Sequence, residues 1–130
     1  MDRTEARAAA MKLLYEWEMG GDGGEETRLG MLEIKPGENE ADYMEKLVSG
    51  VQAHVEELDA AVAKYAVGWR TERISRVDLC ILRVAIYELT VEKLPPAVAV
   101  NEALELARAY STPEAVPFIN GVLGSLLRDA

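Results

Sequence analysis

Apolar residues recur at intervals of three and four over most of this chain, which is the period of one α-helix face. The densest run lies within Arg73 to Leu89, where a second apolar row joins the first from Leu79 onward. A helix that is apolar on nearly all sides is normally covered by neighbours on several sides. The pattern therefore predicts a central core helix with the other helices packed around it. Its charged residues must reach an edge or a partner, because a buried unpaired charge is costly: Arg73, Arg76, Asp78, Arg83 and Glu88.

Weaker amphipathic patterns predict further helices on both sides of this core helix, so the predicted fold class is all-α. The predicted ranges are Arg3 to Met19, Ala41 to Tyr65 with a break between Gln52 and Glu56, Ala97 to Tyr110, and a last helix carrying Ile119 to Leu127. In the helix from Ala97, the residues predicted to face inward are Val100, Ala103, Leu104 and Ala107. Gly20 to Glu40 is expected to be an acidic loop, because its glycines and proline interrupt the helical period. Trp69, in the connector before the core helix, is expected to pack against that helix.

The length of 130 residues suits a single domain with a real hydrophobic core. A net charge of -9 argues at first against a nucleic-acid partner. The acidity is local, however, because 11 of the 23 acidic residues and only 3 of the 14 basic ones lie between Gly21 and Ala61. In the rest of the chain, acidic and basic residues are nearly equal in number, so a basic patch there is possible.

Candidate catalytic or metal-binding chemistry is sparse. Cys80 lies in the apolar run and is expected to be an inert buried thiol. A single cysteine forms no internal disulfide, which suits a reducing cytoplasm. His54 has no histidine or cysteine partner for a metal and no nucleophile at a recognisable spacing, so a solvated histidine is expected. No apolar run is long enough to span a bilayer, and the N-terminus lacks a signal-peptide pattern. The residues predict neither an enzyme nor a cofactor.

Arg3 and Arg7 lie four residues apart and therefore share one face near the start of the first predicted helix. Solvated arginines on an ordinary amphipathic helix are the plainer interpretation. The functional interpretation is a short arm that contacts phosphate groups.

Four segments carry a resemblance that covers almost the whole chain. They are ARAAAMKLLYEWEM at 6–19, ISRVDLCILRVAIYEL at 74–89, LPPAVAVNEALELARAY at 94–110 and PFINGVLGSLL at 117–127. In their order and spacing they resemble the NusB family of bacterial transcription antitermination factors. The resemblance implies two packed three-helix bundles, a first of about 1–67 and a second of about 69–130, with the core helix in the second.

The same resemblance implies binding without catalysis, in the cytoplasm. The expected partners are boxA RNA in the leader of ribosomal RNA transcripts, the ribosomal protein NusE, and the antitermination complex on RNA polymerase. Some members of the family form homodimers, and the sequence leaves this open. The RNA-binding positions that the resemblance implies are Arg3, Arg7, Tyr15, Arg83, Asn101 and Asn120.

One departure from the family weakens the arm. Family members often carry a denser basic cluster where this chain has Asp2, Thr4 and Glu5. Fewer phosphate contacts mean weaker electrostatic binding, so the partner protein is expected to supply part of the affinity. A protein-interaction module with weakened RNA binding is therefore the main alternative. The RNA-recognition domain of an RNA methyltransferase is a third hypothesis, disfavoured because the sequence shows no glycine-rich cofactor-binding unit.

Overall fold

The computed structural model describes residues 2–20, 39–66, 68 and 74–129. Its regular elements within these residues are six α-helices and no strand, which confirms the predicted all-α class. The helices are α1 (Arg3–Glu18), α2 (Asn39–Ala53), α3 (Val55–Tyr65), α4 (Arg76–Thr90), α5 (Pro96–Tyr110) and α6 (Ala115–Asp129). None of these helices is long and apolar enough to cross a membrane. Most of the predicted acidic loop and the predicted packing of Trp69 lie outside the described residues.

Contacts divide the chain into two units, Met1–Ala53 and His54–Ala130. In the first unit, α1 packs against α2. Burial of apolar side chains at helical spacing holds this pair together, since removing apolar surface from water is the main favourable term in folding. The large buried side chains are Met11, Leu13 and Leu14 of α1, and Met44, Leu47, Val48 and Val51 of α2.

The second unit is built around α4, which packs against α3, α5 and α6. Every residue from Cys80 to Leu89 is buried, which confirms the predicted core helix. The helix begins after Ser75, whose hydroxyl accepts a hydrogen bond from the Asp78 backbone N–H at 3.1 Å. The Asp78 carboxylate in turn accepts a hydrogen bond from the Ser111 hydroxyl at 2.6 Å. This bond ties the first turn of α4 to the end of α5, and it gives one of the buried charges the partner that was expected.

The break between α2 and α3 falls at His54, inside the predicted interval. Because α3 packs against α4 and α6, it belongs to the second unit. The expected division into bundles of about 1–67 and 69–130 stays a prediction.

The buried face of α5 differs from the predicted face. Val100 and Leu104, which were expected to point inward, are only half-buried. The fully buried residues are Ala99, Ala103, Leu106 and Ala107, which follow the i, i+4, i+7, i+8 pattern of one helix face. The apolar row on this helix is broad, and the sequence alone did not decide which edge of it packs against α4.

Candidate nucleic-acid interface

The start of α1 is fixed by two carboxylates that form a capping box. The Asp2 side chain accepts a hydrogen bond from the Glu5 backbone N–H at 2.8 Å. The Glu5 side chain accepts one from the Asp2 backbone N–H at 3.4 Å. Negative charge is favourable here because it satisfies free N–H groups and faces the positive end of the helix dipole. The same two charges flank Arg3 in sequence, so they weaken the positive potential of the arm.

Arg3 and Arg7 both approach one aromatic ring, which belongs to Tyr43 of α2. The Arg3 Cζ lies 3.9 Å from the ring centre, and the Arg7 Cζ lies 5.3 Å from it. Arg7 also donates a hydrogen bond from Nη2 to the Tyr43 hydroxyl at 3.1 Å. A guanidinium over an aromatic face is attracted by the ring quadrupole. We call Arg3, Arg7 and Tyr43 the arginine–tyrosine cluster.

The two arginines of this cluster differ in exposure. Arg3 is exposed, whereas Arg7 retains only 5% of its accessible surface. A buried guanidinium bonded to a side chain of the next helix contributes to packing between α1 and α2. Only the exposed arginine presents its charge to the solvent. Arg3 is therefore the surface candidate, while Arg7 joins α1 to α2, and an RNA contact by Arg7 stays a prediction.

Tyr15, Asn101 and Asn120 lie at or near the surface. Tyr15 is half-buried on α1, about 12 Å along the helix axis from Arg7, given a rise of about 1.5 Å per residue. Asn101 on α5 and Asn120 on α6 are exposed, and these two helices pack against each other in the second unit. The six predicted residues thus fall into one group on α1 and a second group in the other unit.

Arg83, a charged residue of the core helix, has the kind of partner that such a buried charge was expected to need. Its side chain is 3% exposed, and it forms a two-pronged ion pair with Asp59 of α3. Nε lies 2.7 Å from Oδ1, and Nη2 lies 2.8 Å from Oδ2. This parallel geometry is the strong form of the arginine–carboxylate pair. The pair joins α3 and α4 and leaves the guanidinium little exposed surface, and an RNA contact by Arg83 stays a prediction.

Tyr43 is the residue of this surface that the sequence did not single out as functional. In the sequence it shares an apolar row of the helix with Leu47 and Val51, which is typical of a core position. It lies 36 residues from Arg7 along the chain, and no spacing rule connects two helices across an intervening segment. Knowledge that α1 packs against α2 would have suggested the contact.

The end of α4 carries the other notable ionisable group. The Tyr87 hydroxyl donates a hydrogen bond to Glu92 at 3.0 Å, and its ring packs against His54 with centroids 5.7 Å apart. Burial, followed by the bond to Glu92, raises the pKa of the Tyr87 phenol above its ordinary value. A phenol held neutral in this way stabilises packing. Among the residues that the structure describes, no group of three or more histidine, cysteine, aspartate or glutamate side chains could hold a metal ion.

Comparison with known proteins identifies the family to which this architecture belongs. The model of the NusB family matches residues 4–128. The chain belongs to the NusB family. It is 44% identical to the transcription antitermination protein NusB of Acetivibrio thermocellus, across 98% of this chain and 90% of that protein. It is 35% identical to NusB of a Clostridium botulinum strain, across 98% of this chain and the whole of that protein.

Solved NusB structures share the fold. T. maritima NusB has a TM-score of 0.86 and 28% identity, covering 99% of this chain and 92% of that one. A chain from the crystal structure of antitermination factors NusB and NusE in complex with dsRNA has a TM-score of 0.84 and 28% identity, with both chains fully covered. The NusB fold assigned from the sequence is therefore confirmed.

Proposed function

We propose that this protein is an RNA-binding transcription antitermination factor that acts in the cytoplasm without catalysis. It binds boxA-type leader RNA of ribosomal RNA operons together with the ribosomal protein NusE, within the antitermination complex on RNA polymerase. The observation that carries this proposal is membership of the NusB family over residues 4–128. The full-length likeness to a chain solved together with NusE and dsRNA supports the choice of partners.

The start of α1 supplies a surface suited to an RNA backbone. Arg3 is exposed at the N-terminus of a helix, where the dipole also favours an anion. Phosphate contacts of this kind fix register and orientation but carry no base information. Exposed amides can read base edges, and this is the role we assign to Asn101 and Asn120. Tyr15 offers part of an aromatic ring for base stacking.

The alternative is a protein-interaction module of the same fold with weakened RNA binding. The capping box favours it, because the carboxylates of Asp2 and Glu5 are held at the start of the arm by hydrogen bonds to the backbone. They cannot move away without uncapping the helix. The isolated protein is therefore expected to bind RNA weakly, and NusE is expected to add affinity.

The experiment is a titration of boxA-like RNA at several salt concentrations with NusE present. Arg3→Ala should lower affinity and reduce the slope of log K against log salt by about 0.7 to 1, which corresponds to one lost phosphate contact. Lys12→Ala is the matched control: it removes the same charge from the same helix. Lys12 is also exposed, and it lies nine residues, or about two and a half turns, from Arg3, on the opposite side of α1.

Equal affinities and slopes for wild type and Arg3→Ala would reject the arm as an RNA contact and favour the protein-interaction alternative. An equal loss in both variants would show a general charge effect without a localised contact. Sedimentation of the protein without RNA distinguishes a monomer from the homodimer that some members of the family form.

A further inference from the structure

Tyr43 joins the two arginines of the arm although it belongs to a different helix. Its ring face lies against the Arg3 guanidinium, and its hydroxyl accepts a hydrogen bond from Arg7. The contact with Arg3 is the shorter of the two ring contacts, at 3.9 Å against 5.3 Å. A single side chain therefore contacts both guanidiniums.

The contact with Tyr43 matters most for Arg3, the exposed arginine, because it restricts a side chain that could otherwise change rotamer. An arginine side chain has many rotamers in solution, and each contact it makes with a ligand must overcome the loss of that freedom. Stacking on an aromatic ring removes part of the freedom before RNA arrives. It uses the flat face of the guanidinium, while the N–H donors lie in the plane and point away from the ring. A stacked arginine can thus still meet a phosphate.

We propose that Tyr43 is a positioning residue for RNA binding, which holds Arg3 where it meets a backbone phosphate and fixes Arg7 through its hydroxyl. This inference rests on the proposed function and adds a residue of α2 to the RNA-binding machinery. Tyr43 acts through Arg3, whose guanidinium lies over the ring.

A double-mutant cycle tests the inference, with fluorescence anisotropy of labelled boxA-like RNA in the presence of NusE as the readout. Tyr43→Leu should weaken RNA binding about two- to fivefold, the size of an exposed cation–π contact. In an Arg3→Ala background the same substitution should change affinity by less than about 1.5-fold, because the group it positions is gone. Tyr43→Phe keeps the ring and should retain most of the affinity.

A purely structural role would produce a different pattern. Loss of affinity of the same size in both backgrounds would mean that Tyr43 acts independently of Arg3, by stacking on a base or by supporting the fold, and would overturn the inference. Unchanged affinity in Tyr43→Leu alone would overturn it too. Thermal unfolding and NusE affinity are measured for every variant, since loss of the Arg7 bond also removes a packing contact.

Arg3→Lys provides a second test that leaves Tyr43 intact and so does not depend on the folding of Tyr43→Leu. Lysine keeps the charge but lacks the planar group that stacks. The expected result is a weaker affinity with an unchanged salt slope, and an affinity equal to wild type would contradict positioning by the ring. If wild type with NusE binds no boxA-like RNA, the proposed function and this inference are both rejected. If wild type binds and these variants bind equally well, only this inference is rejected.

Discussion

Two arginines of this protein each hold a carboxylate at 2.7 Å, but their surroundings differ. Arg83 is buried against Asp59, whereas Arg108 and Glu105 form their pair on the exposed side of α5. Exposed pairs contribute little because water and salt screen them. Removing one partner of a buried pair leaves an uncompensated charge and is strongly destabilising.

Asp59→Ala should therefore lower the free energy of unfolding by about 3 kcal/mol, the lower end for a broken buried pair, since Asp59 itself is part exposed. Glu105→Ala, the matched control at the same distance, should change it by less than about 1 kcal/mol. Urea unfolding of both variants measures the difference. Similar losses would show that burial does not set the strength of these pairs.

The raised pKa of Tyr87 predicts that the protein loses stability at alkaline pH. Its pKa is raised above 10.0 in the folded protein, so the folded state holds the phenolic proton more tightly than the unfolded chain. This contribution to stability is present below the unfolded pKa and is lost as pH rises through the folded one. Glu92→Gln should lower the Tyr87 pKa only in part, because burial, the larger cause, remains. NMR titration of labelled tyrosine measures the Tyr87 pKa in wild type and in Glu92→Gln. An ordinary pKa for Tyr87 in wild type would contradict this prediction.

At the residue scale, the sequence identified Arg3 correctly as an exposed basic residue near a helix start. It could not show that Arg83 is paired with Asp59, which lies 24 residues earlier on another helix. Tyr43 was missed as a functional residue for the same reason. Helical spacing shows which side chains share a face, but a partner on another helix depends on packing that a single sequence does not contain.

The helix α4 is the element on which the second unit depends. Ile81 has no exposed surface, so Ile81→Ala should cost about 2–5 kcal/mol through lost burial and the cavity left behind. Val98→Ala on α5 is the control, because Val98 is 43% exposed and should lose less than about 0.5 kcal/mol. Thermal or urea unfolding gives both values. A small loss at Ile81 would mean that α4 is not the core of the unit.

Gly121 offers the opposite test, a substitution that should stabilise the protein. It lies inside α6, and apart from its two chain neighbours and the backbone of α6, a Cβ added there would meet no described atom within 4 Å. No close contact with another described helix explains a glycine at this position. Gly121→Ala should raise the free energy of unfolding by about 0.5–1 kcal/mol, because alanine loses less backbone entropy in a helix. A lower melting temperature for the variant would contradict this reasoning.

At the element scale, the apolar period predicted every described helix, and it predicted a break between Gln52 and Glu56, which the structure has at His54. Helix ends were less certain, because capping depends on local geometry. Ser75 caps α4, and Asp2 caps α1, where Glu5 at the third helical position completes a capping box. On α5, a broad apolar row hid which edge is buried.

At the scale of the whole molecule, the net charge opposes RNA binding. The net charge of -9 repels a polyanion, and the residues that favour RNA are few and local. We therefore expect RNA affinity to rise when NusE is added, and the effect of Arg3→Ala to persist in the complex. Titrations of wild type and Arg3→Ala with and without NusE measure this. Affinity that is independent of NusE would show that the chain binds RNA by itself.

The sequence revealed the family because four segments keep their order over the whole chain, which is a property of the molecule and not of any single motif. The contact units of the structure are 1–53 and 54–130. The apolar period of α3 is the same whichever neighbours it joins, so the sequence alone assigns α3 to neither unit. Its assignment to the second unit became clear only from its packing against α4 and α6.

The capping box at Asp2 and Glu5 bears on two properties of the arm, the initiation of α1 and the attraction of RNA. Serine and glutamine can form the same hydrogen bonds without carrying charge. A neutral box would keep the first turn of α1 in place while removing the repulsion beside Arg3. Arginine at either position would add attraction but forfeit the cap. Helix initiation and RNA attraction can therefore be adjusted independently in this arm, and neutral polar residues are the route by which a weak binder could become a strong one without losing its fold.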